Sequence, residues 1–350
     1  MTNGAQPAQR KPKDRDFIET TEGLLFCVVG YLHPPDKYTA YLKYSPASEG
    51  RWRRQGRAYH RELAYYHAHQ VGQTLDYLQV HHPHYVHYCP VRDMLFSMVP
   101  QDRVQTYYCP EQRLAQILTN PKDPLEEEIA RLVEAIRDTT GISLAHLGVT
   151  GSILLGSHDP SFSDIDLTVY GRENTSLLRA ALVERGIPGI SPLDETFLDG
   201  WCREMAEHHG LTYQQVRWLA ARRWNFAYYG QRRYLSLLPT RSDAEIREAY
   251  GDHTYRDAGV TRLQAVISEA AESIFLPAVY GIERVKILEG PAVQVAEIYA
   301  YEGLFGQAAD VGQAVEAQGK LEELDGGPLH RLVIGSSRRT GVEYLKPVSL

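Results

Sequence analysis

Two short segments in the middle of the chain carry the residue types that polyphosphate and metal chemistry needs. Gly151 and Ser152 follow an apolar stretch at 144–150, and Asp164 and Asp166 come twelve and fourteen residues after the serine. A glycine-serine turn that opens a helix offers backbone N–H groups to a polyphosphate. Two aspartates at alternate positions of a strand point to one face, where they can share a divalent cation. Together the segments predict a phosphate-and-metal site.

The expected cation follows from these ligands. Mg²⁺ (or Mn²⁺) prefers carboxylate and phosphate oxygens, which suits two aspartates and a substrate polyphosphate. Held by Asp164 and Asp166, it would activate an attacking hydroxyl and neutralise a pyrophosphate leaving group. Each segment alone is common, since Asp-x-Asp occurs at exposed strand ends and Gly-Ser in ordinary turns. The prediction therefore depends on both segments occurring in this order on a strand–turn–helix–strand frame.

These motifs also carry a family resemblance. Gly151-Ser152 followed by Ser163-Asp164-Ile165-Asp166-Leu167 resembles the signature of the DNA polymerase β-like nucleotidyltransferase superfamily, over roughly residues 125–240. The whole chain also resembles uncharacterised prokaryotic predicted nucleotidyltransferases, including its opening at 15–20. The resemblance implies that Asp164 and Asp166 are catalytic metal ligands and that Gly151 and Ser152 cradle the triphosphate. The implied reaction moves an NMP from an NTP to an acceptor hydroxyl.

The chain departs from the superfamily pattern at the third carboxylate, which members usually carry on a neighbouring strand. The strand expected at 233–238 contains no acid. Four acids lie nearby in sequence: Asp194, Glu195, Asp199 and Asp243. Asp194 and Asp243 are the candidates among them. Without a third acid, a non-catalytic nucleotide- or nucleic-acid-binding protein remains an alternative, because fold does not fix function.

A basic and aromatic run covers 208–242, which holds six arginines and no acid. Guanidinium groups suit phosphates and aromatic rings can stack bases, so Arg222, Arg223 and Arg233 are predicted to bind substrate. This favours RNA, including a tRNA end, as the acceptor; modification of a protein or small-molecule hydroxyl is the second reading. The alternative is structural: a solvated helix face followed by a core strand, with packed aromatic residues, would have the same sequence pattern.

A second basic stretch comes earlier, with five arginines at positions 51, 53, 54, 57 and 61. It leads into a helix expected at about 58–79 and could equally be a phosphate-facing surface or a solvated helix start. The histidine-rich segment 81–89 does not predict a zinc site, because no second Cys or His pair accompanies it.

Composition limits the class of protein. The chain has 350 residues, of which 43% are hydrophobic and 23% charged, and a net charge of -7 argues against a nucleic-acid coat. No apolar run approaches the roughly 20 residues of a membrane helix. The polar N-terminus has no secretory h-region. Scattered cysteines (Cys27, Cys89, Cys109 and Cys202) are typical of a reduced protein, so a cytoplasmic location and no membrane partner are expected.

The predicted fold class is α+β. We expect a disordered tail at 1–15, an α/β-type N-terminal module of unknown role at 16–119, a nucleotidyltransferase-type mixed sheet with helices at 120–250, and a small OB-like β-barrel at 251–350. Asp123 and Pro124 predict the start of a helix that feeds the mixed sheet. Short strands separated by Gly and Pro turns favour the barrel, which either binds a single-stranded oligonucleotide or is purely structural.

Overall fold

The computed structural model describes residues 10–63, 68–336 and 341–348, and it is a mixed α+β fold with seven α-helices and three β-sheets in these ranges. The chain divides into two compact units. The first unit is Met1–Leu63, Ser97–Leu193 and Trp224–Arg247. The second unit is Ala64–Phe96, Asp194–Arg223 and Glu248–Leu350. Each unit therefore collects three separate stretches of sequence.

The helices are α1 (Ala68–His81), α2 (Pro110–Thr119), α3 (Pro124–Thr140), α4 (Gly151–Leu155), α5 (Arg172–Glu184), α6 (Glu195–His209) and α7 (Tyr213–Ala220). Across the described ranges, none of them combines the length and apolar character needed to cross a membrane.

The strands are β1 (Phe17–Thr20), β2 (Leu25–Val28), β3 (Lys37–Ala47), β4 (Trp52–Arg54), β5 (Arg57–Arg61), β6 (Val86–Cys89), β7 (Met94–Pro100), β8 (Val104–Tyr108), β9 (Leu147–Val149), β10 (Ile165–Tyr170), β11 (Ile190–Pro192), β12 (Phe226–Tyr229), β13 (Arg233–Thr240), β14 (Tyr255–Glu269), β15 (Ala278–Glu289), β16 (Gln294–Ala300), β17 (Ala314–Leu324), β18 (Leu329–Ile334) and β19 (Tyr344–Pro347).

The N-terminal sheet of the first unit has the strand order β4-β5-β3-β2-β1-β8. The expected helix at 58–79 is wrong in its first part, because Arg57–Arg61 forms β5 and pairs with both β3 and β4. Strand pairing on both sides outweighs the local helical spacing of the sequence. The helix α1 begins only at Ala68, and residues 64–67 lie outside the described part of the chain.

The segment just before β1 differs from the expected disordered tail. Asp16 is fully buried and accepts two hydrogen bonds from the Arg10 guanidinium, at 2.6 and 2.7 Å. The Tyr107 hydroxyl and the Lys13 amide also donate to Asp16, at 2.6 and 2.8 Å. Residues 10–15 are ordered because a buried carboxylate needs these partners. Residues 1–9 lie outside the described part.

The second sheet of the first unit has the order β11-β12-β13-β10-β9. Strand β10 is the fourth of the five and lies between β9, to which it is antiparallel, and β13, to which it is parallel. Helix α3 begins as predicted, with the Asp123 carboxylate accepting hydrogen bonds from the Leu125 and Glu126 amides at 2.9 and 3.0 Å. Its apolar stripe is fully buried in one core with β9, β10 and β13. These elements hold the strand that carries the aspartates.

The second unit contains a closed ring of five strands, in the order β14-β15-β16-β18-β17 and back to β14. The β16–β18 pair is parallel and the others are antiparallel. A sheet that closes on itself agrees with the small barrel expected after residue 251.

The units also cut across the boundaries expected from sequence. The stretch 196–223, expected in the mixed-sheet domain, forms α6 and α7 and belongs to the second unit. Cys202, Met205, Val216 and Leu219 are buried in the same core as the barrel strands. Apolar burial against the barrel assigns both helices to that unit.

Candidate phosphate and metal site

Asp164 and Asp166 lie at the start of β10, an interior strand of the second sheet. Asp164 directly precedes β10 and is exposed, while Asp166 is the second residue of β10 and is half-buried. Ile165, Leu167 and Val169 are fully buried. Thr168 and Tyr170 on the opposite face are buried as well, so this part of the strand is covered on both faces. The structure therefore brings the two carboxylates to one strand end, as expected.

Gly151 lies against the Asp166 side chain. A Cβ atom added at Gly151 would come 2.6 Å from Asp166 Oδ2, much closer than van der Waals contact allows. The residue also has a φ of 66°, in the left-handed region that favours glycine. Glycine at this position thus meets two separate requirements, the backbone conformation and the space for a carboxylate.

The beginning of α4 has no side-chain cap. Thr150 is the N-cap residue, but its hydroxyl donates to the Arg15 carbonyl at 2.7 Å and does not cap the helix. The Thr150 amide donates to the Asp166 carbonyl at 3.0 Å, which ties the turn to β10. The first amides of a helix have no intrahelical partner, so those of Gly151 and Ser152 can donate to phosphate oxygens.

The carboxylates repel each other. Loss of hydration and the negative charge of Asp166 raise the pKa of Asp164 to about 6, although Arg233, Arg61 and Arg51 act in the opposite direction. A bound divalent cation would relieve this repulsion. Two carboxylates with a polyphosphate form an all-oxygen ligand set, so the residues present fit Mg²⁺ or Mn²⁺.

Arg233 holds the loop that precedes Asp164. Its guanidinium donates to the carbonyl oxygens of Ser163 and Pro160, at 2.6 and 2.9 Å, and to Glu128 Oε2 at 2.7 Å. All three contacts use different nitrogen atoms. The side chain predicted to bind substrate therefore positions the loop before Asp164, and its charge acts on Asp164 from there.

Replacing Arg233 with alanine is expected to lower the free energy of unfolding by about 3 kcal/mol, since hydrogen bonds of a charged group contribute about 1.5–3 kcal/mol each and are not additive. Urea unfolding measures this. Arg179→Ala removes an exposed arginine of α5 and should change stability by no more than about 0.5 kcal/mol. Equal stability of both variants would contradict the positioning role.

The structure supplies no third carboxylate from the acids named above. Asp194 accepts from the Phe197 amide and begins α6 in the second unit, and Asp243 pairs with Lys13 at 3.0 Å in the first unit. Glu195 pairs with Arg217 and Asp199 with Arg203. In the β13 register, Ser236 lies opposite Asp166. Each acid has a helix-capping or ion-pair role, so the prediction for Asp194 and Asp243 finds no support.

One other cluster could hold a metal ion, formed by Asp123, Glu126 and His158. It is the only group of three such ligands within 4.8 Å among the described residues, and it includes neither Asp164 nor Asp166. Asp123 caps α3, and Glu126 pairs with Arg113 and accepts from the Lys122 amide at 2.8 Å. These partners occupy the carboxylates, so the cluster serves the start of α3.

Arg222 and Arg223 belong to the second unit, whereas Arg233 belongs to the first. The Arg222 guanidinium stacks on Trp218, 3.7 Å from the ring centroid, and donates to the Trp218 carbonyl. Arg223 donates to the Gly303 carbonyl at 3.0 Å. Aromatic residues of the run pack against the two cores, among them Tyr213, Trp218, Trp224 and Tyr229. The run is therefore divided between two units, and the packing interpretation describes these side chains.

Comparison with known proteins finds a relative of similar length but indicates no activity. No protein-family model matches the chain, and no solved structure matches it. The chain is similar to an uncharacterized protein of Methanocaldococcus jannaschii, with 28% identity over 345 residues. The alignment covers 96% of this chain and 99% of the relative. The alignment therefore extends over both compact units.

Proposed function

We propose that the protein is a nucleotidyltransferase that moves an NMP from an NTP to an acceptor hydroxyl and releases pyrophosphate. The observation that carries the proposal is the fit of Gly151 against Asp166, at an uncapped helix start beside Asp164. The strand pattern supports it too, since β9, α4 and β10 form the strand–turn–helix–strand frame that the motif requires.

The residues of the chain have separate roles in this proposal. Asp164 and Asp166 would hold Mg²⁺ or Mn²⁺, which when bound neutralises phosphate charge and favours the attacking alkoxide. The amides of Gly151 and Ser152 would hold the polyphosphate in place. Arg233 keeps the loop before Asp164 in position through its two carbonyl contacts.

Incubation of the full chain with Mg²⁺, each α-labelled NTP and a total RNA pool tests the reaction. We expect label in RNA and release of pyrophosphate, both dependent on the metal. Label on protein or on a small molecule would replace RNA by that acceptor. The same incubation is repeated with a protein pool and with a small-molecule pool in place of RNA. NTP binding without pyrophosphate release in all three incubations would contradict a transferase.

The second candidate is a protein that binds nucleotide without transferring it. It is favoured by one observation: among the described residues, no group of three acidic, His or Cys ligands within 4.8 Å of one another includes Asp164 or Asp166. Ser236 occupies the β13 position opposite Asp166, where an acid would complete a catalytic set. A serine hydroxyl does not act as a general base without an activating partner.

The strand order of the barrel in the second unit supports RNA as the acceptor, while the contacts of its aromatic side chains weaken that support. The ring order, with its third and fifth strands parallel, favours an OB-like barrel, a fold that binds oligonucleotides on its second and third strands. However, Arg331 lies over the Tyr299 ring at 4.4 Å and Arg92 over the Tyr301 ring at 6.0 Å. These arginines cover ring faces on which bases would stack, so the barrel gives RNA weaker support than its strand order alone.

A further inference from the structure

We propose that Arg51, held by Phe162, is a polyphosphate-binding residue that the N-terminal sheet contributes to the aspartate site. This inference rests on the proposed nucleotide site. It gives the N-terminal sheet of the first unit, whose role sequence left open, a direct part in substrate binding.

The first observation is a stacked contact between two parts of the first unit. The Arg51 guanidinium carbon lies 3.6 Å from the centroid of the Phe162 ring. Phe162 precedes Asp164 by only two residues, and it lies in the loop that Arg233 holds at Ser163 and Pro160. The arginine is therefore fixed beside the metal-binding end of β10.

The second observation is a chain of aromatic rings that supports this contact. Trp52 meets Phe162 edge to face, with ring centroids 5.6 Å apart, and Tyr44 meets Trp52 in the same way at 5.9 Å. Edge-to-face pairs at such distances are favourable. Residue Tyr44 lies on β3 and Trp52 on β4, so the sheet itself positions Arg51.

The third observation concerns charge. Arg51 is exposed, and among the described residues it forms no ion pair within 4.0 Å. Arg233 donates to the Ser163 and Pro160 carbonyls, so a second guanidinium group lies beside the same loop. Arg61 is on β5, next to β4. A polyphosphate bound at the aspartates would therefore lie close to positively charged arginine side chains.

The chemistry of arginine explains how one residue serves both contacts. Stacking uses the face of the planar guanidinium, while its N–H donors lie in the plane and point outward at the edge. Those donors suit phosphate oxygens and bind them by charge-assisted hydrogen bonds. A stacked arginine also has fewer conformations to lose when a ligand binds.

Titration calorimetry of the full chain with Mg²⁺-tripolyphosphate and with Mg²⁺-ATP tests the inference. We expect Arg51→Ala to weaken both by about tenfold, equivalent to about 1.4 kcal/mol, and to leave AMP binding within twofold. Arg51→Lys, which keeps the charge without the planar fork, should be intermediate. Arg53→Ala removes another exposed arginine of the same hairpin and should bind tripolyphosphate like the wild type.

The outcomes separate this inference from the proposed function. Wild-type protein that binds neither probe would overturn the nucleotide site and with it the role of Arg51. Wild-type binding that is unchanged in Arg51→Ala would overturn only the inference. Weakened binding of a single-stranded RNA oligonucleotide, with unchanged tripolyphosphate binding, would assign Arg51 to the acceptor instead. Should Arg51→Ala fail to fold, the comparison of Arg51→Lys with Arg53→Lys decides.

Discussion

Replacing Asp166 with alanine is expected to abolish metal-dependent NMP transfer, with a loss of at least about a thousandfold. The side chain supplies one of two carboxylates at the end of β10. A metal ion stabilises transition-state charge by several kcal/mol, and each 1.36 kcal/mol is a factor of ten in rate. Release of pyrophosphate from Mg²⁺-NTP measures the loss. We expect Asp164→Ala to cause a similar loss.

An exposed acid of the same unit provides the matched control. Asp138 lies near the end of α3 and pairs only with its neighbour Arg137 in the described ion pairs. Asp138→Asn removes one negative charge without touching the site and should retain wild-type activity. Equal activity of Asp166→Ala and Asp138→Asn would contradict the assignment of the metal ligands.

Gly151→Ala is expected to reduce transfer by about a hundredfold or more through displacement of Asp166. The added methyl group would fall 2.6 Å from Asp166 Oδ2, so the carboxylate or the turn must move. A misplaced catalytic group costs about 10²-fold in rate. Alanine in a left-handed conformation also destabilises the chain, by about 1–2 kcal/mol.

Gly156 separates these two effects. It ends the same helix with a φ of 64°, close to the 66° of Gly151, and a Cβ there meets nothing within 4 Å. Gly156→Ala should therefore lose similar stability in urea unfolding and keep its activity. A loss of activity in both variants in proportion to stability would show that strain, not contact with Asp166, matters at Gly151.

The local features of the site could be predicted because short-range rules determine them. Asp123 and Pro124 start α3, the apolar alternation of residues 165–169 gives β10, and Gly151 takes the positive φ of a tight turn. Each depends on neighbours in sequence, whose preferences survive folding. The barrel could be predicted in outline for the same reason, because Gly and Pro turns divide this part of the chain into strands.

The partners of these features could not be predicted, since they come from distant parts of the chain. Arg233 was expected to bind substrate, and the sequence did not indicate that two of its nitrogen atoms donate to the loop at 160–163. Arg222 stacks on Trp218 within the second unit. No local pattern of the sequence marks Phe162 as the support of Arg51. Long-range contacts decide which arginine faces a ligand.

The division of each unit into three stretches has a consequence for synthesis of the chain. Strand β13 runs parallel to β10 and ends at Thr240. Strand β10, which carries Asp166, therefore lacks this neighbouring strand until Thr240 has left the ribosome. At about 5–20 residues per second, β10 would wait several seconds with one edge unpaired. By then α6 and α7 have also emerged, ahead of the barrel whose core they share. We infer that neither unit can be completed before the other has begun, so the gene cannot be cut between them without exposing a strand edge or an apolar helix face.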